Sequence, residues 1–356
     1  MKKLFIITAY FIVSTFFACP ATLTDIVDLA GRHVTIPKNP RRIICIAPGC
    51  LRLIVYLNAT DRLVGIEKME KQQPRGRPYW LAHPELKKLP VIGPGGIKSI
   101  NQKPELESIL KVKPDIIFIT YMDTDKADKI TKLTGIPVVV LSYGPFGSFD
   151  STLYVSIRLA GKILGEEKRA EDVICFIEAQ KKDLLERSVS SINKKKATVY
   201  IGGLGFKGES SIESSSSLFI PFIWINGNNA VKTNPPNEHV MVGREKLLQL
   251  NPDFIFITSG ARVLLEQDLR RKKEYYNTLK AVKNKNIYSL YPFNWYISNV
   301  GTAISDTYTI GKKLYPKSFK DINLKDKSNK IYTFLVGKPV YEMMEKDYGI
   351  LGRHIR

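Results

Sequence analysis

The sequence predicts an α/β protein of two similar lobes joined by one long helix, and three observations carry that prediction. Residues 107–120, ESILKVKPDIIFIT, return at 245–258 as EKLLQLNPDFIFIT, with eight of the fourteen positions identical at an offset of 138. One repeat at so long a period indicates two related domains rather than a solenoid of short units. Each copy holds a short helix opened by an acidic residue, a Pro-Asp stop, and an unbroken apolar run, the pattern of a strand buried on both faces. Between the copies, residues 151–190 place Ile157, Ala160, Leu164, Ala170, Val173, Ile177 and Leu184 at helical spacing.

A helix followed by a buried strand implies parallel sheets with crossover helices, hence a Rossmann-like layout in each lobe. In the first lobe the expected strands are Ile43–Ile46, Leu63–Ile66, Ile116–Ile119 and Val138–Leu141. In the second they are Thr198–Ile201, Phe222–Ile225, Phe254–Ile257 and Ile287–Leu290. Gly165 divides the connecting run, and Glu166 and Glu167 suit the first turn of a new helix, whose positive end they oppose. A helical strut resists bending, so only a modest closure over a cleft between the lobes is expected. Lys317–Lys330 reads as a solvated connector and the chain after Ile331 as a last amphipathic helix. The expected units are a leader at 1–21, the first lobe at 22–150, the connecting helix at 151–191, the second lobe at 192–316, and a connector with its helix at 317–356.

Lys2 and Lys3 precede an apolar run from Leu4 to Ala18, the pattern of a signal peptide and shorter than the roughly 20 residues that span a bilayer. Cleavage before Cys19, with lipidation of that cysteine, and cleavage after Ala21 both remain open. Export disfavours nucleic acid as the partner of the +20 net charge, whose lysines are scattered rather than gathered in one segment. Such a charge draws anionic ligands or surfaces instead. Cys45, Cys50 and Cys175 give no disulfide framework, although a Cys45–Cys50 bond is conceivable.

Four stretches resemble the helical-backbone binding proteins that serve iron-siderophore and vitamin B12 ABC importers. They are TDIVDLAGRHVTIP at 24–37, RRIICI at 41–46, DRLVGI at 61–66, and the two Glu-x-x-Leu-x-x-x-Pro-Asp blocks. The resemblance implies a monomeric receptor in the periplasm or on the outer face of the cytoplasmic membrane. It would deliver a metal complex to a permease dimer and its ATPase, with no catalysis, cofactor or resident metal of its own. It implies further that Glu107 and Glu245 dock, one per lobe, onto the two permease subunits. Taken alone, each glutamate is equally an acid placed at a helix start. Where many relatives carry Thr-Glu after the first strand, this chain has Cys50-Leu51-Arg52, which weakens transfer of any particular siderophore. An iron chelate is the first ligand expected, molybdate or tungstate the second, and a corrinoid or nickel chelate the third.

Ligands of open parallel sheets meet the loops beyond the carboxyl ends of the strands. Those loops offer Arg52, Arg75, Arg77, Tyr79, Trp80, Tyr121 and Tyr143 in the first lobe, and Lys207, Glu209, Arg262, Trp295 and Tyr296 in the second. Cations could neutralise an anionic chelate and aromatic rings could stack on it; the alternative for each is a lobe's own core or plain solvation. The hydroxyl-rich stretch 209–217 reads either as an oxygen-binding loop or as a flexible one. Gly203-x-Gly205-x-x-Gly208 mimics a dinucleotide fingerprint, the basis of a rival reading as an exported enzyme. Asn226, Asn228 and Asn229 stand where that fingerprint needs an acid.

Overall fold

The structure, a computed structural model, describes residues 23–72, 75–145, 148–189, 196–205 and 211–355. The leader, Cys19, Lys207 and Glu209 lie outside the described residues. After a hairpin of Leu23–Val27 against His33–Pro37, the first lobe builds a four-stranded parallel sheet. Its strands are β1 (Ile43–Ile46), β2 (Leu63–Gly65), β3 (Ile116–Thr120) and β4 (Val138–Leu141), in the order β2-β1-β3-β4. The second lobe repeats the arrangement with β5 (Thr198–Gly202), β6 (Asn228–Asn229), β7 (Phe254–Thr258) and β8 (Ile287–Leu290), in the order β6-β5-β7-β8. The duplicated sequence therefore folds as a duplicated topology.

The strands earn their buried places residue by residue. On β3, Ile116 and Phe118 belong to the large central core, whereas Ile117 and Ile119 belong to a separate cluster on the outer face. On β7, Phe256 faces the central core and Ile255 and Ile257 face outward. Alternation along a strand sends successive side chains to opposite faces, and here both faces are covered by helices.

The run between the lobes divides at Gly165, as its sequence implied, into two segments, the second of them the one long helix that leads to the second lobe. The first, α4 (Thr152–Leu164), ends at Gly165, whose φ of 69° stops it; α5 (Glu167–Val189) then runs for 23 residues to β5. The apolar run Phe222–Ile225 is not a strand. It forms most of a helical turn, α6 (Ile220–Trp224), with Pro221 early in it, where proline's missing N–H costs nothing. The strand position falls to Asn228–Asn229 instead. Lys317–Lys330 is not wholly a loop either, because α9 (Leu324–Val336) starts inside it, capped by the Asn323 side chain. A short α10 (Tyr341–Tyr348) follows, and residues 352–355 pair with the edge of β8.

Candidate functional site

The loops leaving the carboxyl ends of the two sheets meet at a seam. Arg52 sits in the first turn of a helix, α1 (Cys50–Tyr56), that follows Gly49. Gly49 has a φ of 85°, and a Cβ there would stand 2.8 Å from the Tyr143 ring. Only glycine allows that approach, and the Tyr143 hydroxyl uses it to donate to the Gly49 carbonyl at 2.9 Å.

Arg52 is fully buried. Its guanidinium crosses the seam and donates to the carbonyls of Ser298 and Tyr296 at 2.9 Å each, and to that of Trp295 at 3.5 Å. Tyr143 lies 3.4 Å from the same group, and the Tyr79 ring lies beneath it at 4.8 Å. Among the described residues no carboxylate bonds to Arg52 directly, and its Nε has no partner. A buried cation in that position is compensated by carbonyl dipoles, a ring face and the more distant charge of Glu70.

Arg77 is also fully buried but differently placed. It forms an ion pair with Glu70, a residue equally removed from solvent, and donates to the Glu70 carbonyl at 2.7 Å. The Tyr79 hydroxyl reaches the same carboxylate at 2.9 Å. Burial pushes Glu70 upward while Arg77 pulls it back down. Trp80 and Tyr296 stack against Arg77, with ring centres 5.8 and 5.5 Å away.

Glu67 joins this cluster to the second lobe. It accepts the Ala47 N–H at 3.1 Å and the Tyr296 hydroxyl at 2.9 Å, while the Tyr296 oxygen accepts the Gly96 N–H at 3.0 Å. Burial raises Glu67 to about 7, with the bonds from Ala47 and Tyr296 opposing the rise. The other face of Glu67 lines a cavity of about 420 Å³ beyond β1 and β2, walled by residues 92–95 and flanked by Lys98, Lys103 and Glu105. The seam is strained as well. Ala47, Tyr121, Tyr296 and Ile297 all hold left-handed φ values between 54° and 72°, costly for residues with a Cβ and most so for branched Ile297.

The structure thus gathers Arg52, Arg77, Tyr79, Trp80, Tyr143 and Tyr296, which the sequence named, into one buried cluster. Trp295 contributes its carbonyl, and Tyr121 borders the seam half-buried. Arg262 stands apart, 3.7 Å from Glu266 on its own helix. The described part of the hydroxyl-rich stretch is neither open nor loose: Ser214 and Ser215 are buried and pair as strand with Val240 and Met241. Sequence reasoning missed Glu67 and Glu70, although Glu67 follows a strand almost directly and the loop rule applied to acids would have found it. Burial raises Tyr79, Tyr121, Tyr143 and Tyr296 above the ordinary phenol range. Cys45 and Cys50 are free buried thiols.

Two similar α/β lobes, a helical strut and a seam lined by strand-end loops define a substrate-binding component of an ABC importer, working with a permease and an ATPase rather than as an enzyme. The chain belongs to the periplasmic binding protein family, whose pattern matches residues 43–292. It is similar to the molybdate-binding protein MolA of Haemophilus influenzae, 25% identical over 333 residues that cover 86% of this chain and 89% of that protein. It also resembles the petrobactin-binding protein YclQ of Bacillus subtilis, 20% identical over 274 residues covering 75% and 79%. Among solved structures, a periplasmic solute-binding protein of Veillonella parvula superposes with a TM-score of 0.70 at 21% identity, over 92% of this chain and 97% of that one. MolA bound to molybdate superposes with a TM-score of 0.67 at 22% identity, over 89% and 98%. Like those relatives, the protein is placed in the periplasm or on the outer face of the membrane.

Proposed function

We propose that this receptor captures a compact metal-containing anion, with an oxyanion of the molybdate and tungstate class first and a small ferric chelate second. The observation that carries the reading is the charge of Arg52. Arg77 is cancelled by Glu70, and Glu67 is close to half protonated at neutral pH. Arg52 is left as a buried cation with no carboxylate bonded to it among the described residues, only the more distant pull of Glu70, and an anion entering there would meet that charge in a low-dielectric setting. The cavity on the far side of Glu67 is at the small end of the range for ligand sites, though it is lined by first-lobe residues alone and not by Arg52. MolA, a relative over most of the chain, binds molybdate, which supports ranking the oxyanion ahead of the iron chelate that the sequence put first. The aromatic lining of Tyr79, Trp80 and Tyr296 is what keeps the chelate as the second reading. Capture would end in docking through Glu107 and Glu245, both exposed.

Isothermal titration of the purified protein with molybdate, tungstate, sulfate and a ferric catecholate complex tests this. Tight binding of molybdate or tungstate over sulfate is expected. Binding of the ferric complex alone would reverse the order, and binding of none would refute both readings.

A further inference from the structure

The repeated helix-strand unit separates what duplication retained for folding from what it retained for something else. Most of the eight identities have structural reasons. Ile117–Thr120 and Ile255–Thr258 are buried in the central strands. Asp115 and Asp253 each hold the start of the lobe's first strand, Asp115 by accepting the Arg41 and Arg42 N–H groups at 2.8 Å and Asp253 by accepting that of Thr198 at 2.8 Å. The hydroxyls of Thr120 and Thr258 each donate to a carbonyl just past that strand, at Pro48 and Gly203. The Pro-Asp stop ends the helix in both copies. Two identities lie on the surface instead, although Glu107 there pairs with Lys111 at 2.8 Å on its own helix. Glu107 and Glu245 are exposed, and so are Leu110 and Leu248, at 45% and 37%.

Each leucine stands three residues after its glutamate, on the same face of a short helix, α3 (Leu106–Lys111) or α7 (Arg244–Leu250). Neighbouring surface positions have drifted, Ser108 to Lys246 and Lys111 to Gln249. Partial packing leaves a large share of each leucine in solvent in both copies while the neighbours change, so one apolar surface point is offered per lobe beside its glutamate.

We propose that Leu110 and Leu248 are paired apolar contacts through which the two lobes seat on the two related subunits of the permease dimer, each leucine entering an apolar pocket beside the cation that receives the neighbouring glutamate. This deepens, and rests on, the reading of Glu107 and Glu245 as docking acids. The partner is specified by symmetry and chemistry. It presents the same patch twice, apolar with a basic rim, because the receptor presents the same acidic-apolar face twice.

The test measures affinity of the receptor for its own permease–ATPase complex in lipid nanodiscs, at about 0.05 M and about 0.5 M salt. The Leu110→Gln, Leu248→Gln double variant should bind about 100-fold more weakly, roughly tenfold per leucine, at both salt concentrations. Its melting temperature should fall only modestly, since each side chain is little more than half covered by its own lobe. The Glu107→Gln, Glu245→Gln double variant should lose affinity mainly at low salt. Binding by the leucine variant within about twofold of the parent would overturn the proposal, as would an effect confined to one lobe. A glutamate pair without effect beside a leucine pair with the full effect would refute the acid reading alone and leave the apolar seat standing.

Discussion

The Tyr296 hydroxyl donates to the Glu67 carboxylate at 2.9 Å, and that bond runs from the second lobe into a buried socket of the first. Arg52 returns the contact from the first lobe to the carbonyls of Tyr296 and Ser298. The closed seam is therefore held by one titratable group and one permanent cation, and their consequences can be separated.

The titratable group should make closure depend on pH. In the seam Glu67 titrates at about 7, whereas a solvent-exposed glutamate titrates near about 4.3. Separating the lobes withdraws Tyr296 and lets water reach the carboxylate, so the closed form holds a proton that the open form releases. Its contribution to closure is fully present below about pH 4.3, declines as pH rises through about 7, and is level above that. The whole swing is at most on the order of 4 kcal/mol. Small-angle scattering from about pH 4.5 to about pH 8 should show the radius of gyration growing with pH, and Glu67→Gln should flatten the curve. Other charges near Glu67 are Glu70, Arg77, and the cavity's Lys98, Lys103 and Glu105. A slope surviving in Glu67→Gln would assign the effect to one of them.

The permanent cation should govern affinity. Arg52→Met leaves the carbonyls of Tyr296 and Ser298 buried without their donor, at a cost of about 2–4 kcal/mol in urea unfolding. Removing the unpaired charge should weaken molybdate binding by about 100-fold or more. Arg52→Lys keeps the charge but not the planar fork, so an intermediate loss is expected. Titration calorimetry giving parental affinity for Arg52→Met would remove the basis of the anion reading.

A second buried acid lies away from the seam. Asp306, on α8 (Val300–Leu314), accepts the Tyr291 N–H at 3.0 Å through one oxygen, and its other oxygen has no partner among the described residues. Burial pushes it well above the ordinary aspartate value. The folded state therefore takes up a proton that the unfolded chain has lost, and stability falls as pH rises above about 3.9 toward the folded value. Asp306→Asn supplies a neutral group of the same shape. It should unfold later in denaturant by about 1–2 kcal/mol at pH 8 and by nothing at pH 4; an equal gain at both would point to a cause other than titration.

The parts of this fold that were legible in the sequence are those where burial leaves a chemical trace. Ile43–Ile46 and Phe254–Ile257 announce themselves because a strand covered on both faces must be apolar throughout. Asn228–Asn229 does not, since it joins the sheet through backbone bonds and shows polar side chains. Phe222–Ile225 misled for the complementary reason: a short apolar run fits a buried strand and a buried helical turn alike. At the site, arginines and aromatics stood out in strand-end loops, but nothing in the chain order showed that Arg52 would reach residues 295–298. That pairing spans more than 240 positions, and only the docking of the lobes creates it. The lysines of 317–330 suggested solvent, and the buried residues of α9, Ser328 and Ile331 among them, were hidden by the charged side chains between them.

That helix is more than a tail, because it packs on the connecting helix and reaches the first lobe. Phe334 on α9 stacks on Phe176 of the connecting α5 with ring centres 4.0 Å apart. Arg169, also on α5, donates to the Tyr56 carbonyl at 2.8 Å and to the carbonyl of Phe334. His83 of the first lobe lies 3.0 Å from the Val336 carbonyl, and the Gly76 N–H donates to Asp347 of α10 at 3.2 Å. The chain leaves the second lobe, crosses back and ties down the first, so the strut is doubled by a strap. Phe334→Ala removes the stack and exposes the Arg169 bond to water, at a cost of about 1–3 kcal/mol for a half-buried ring. If the strap restrains opening, the variant should also lose bound molybdate faster than the parent, roughly in proportion to the lost stability. Loss of stability with an unchanged dissociation rate would show that α9 supports the fold without restraining the lobes.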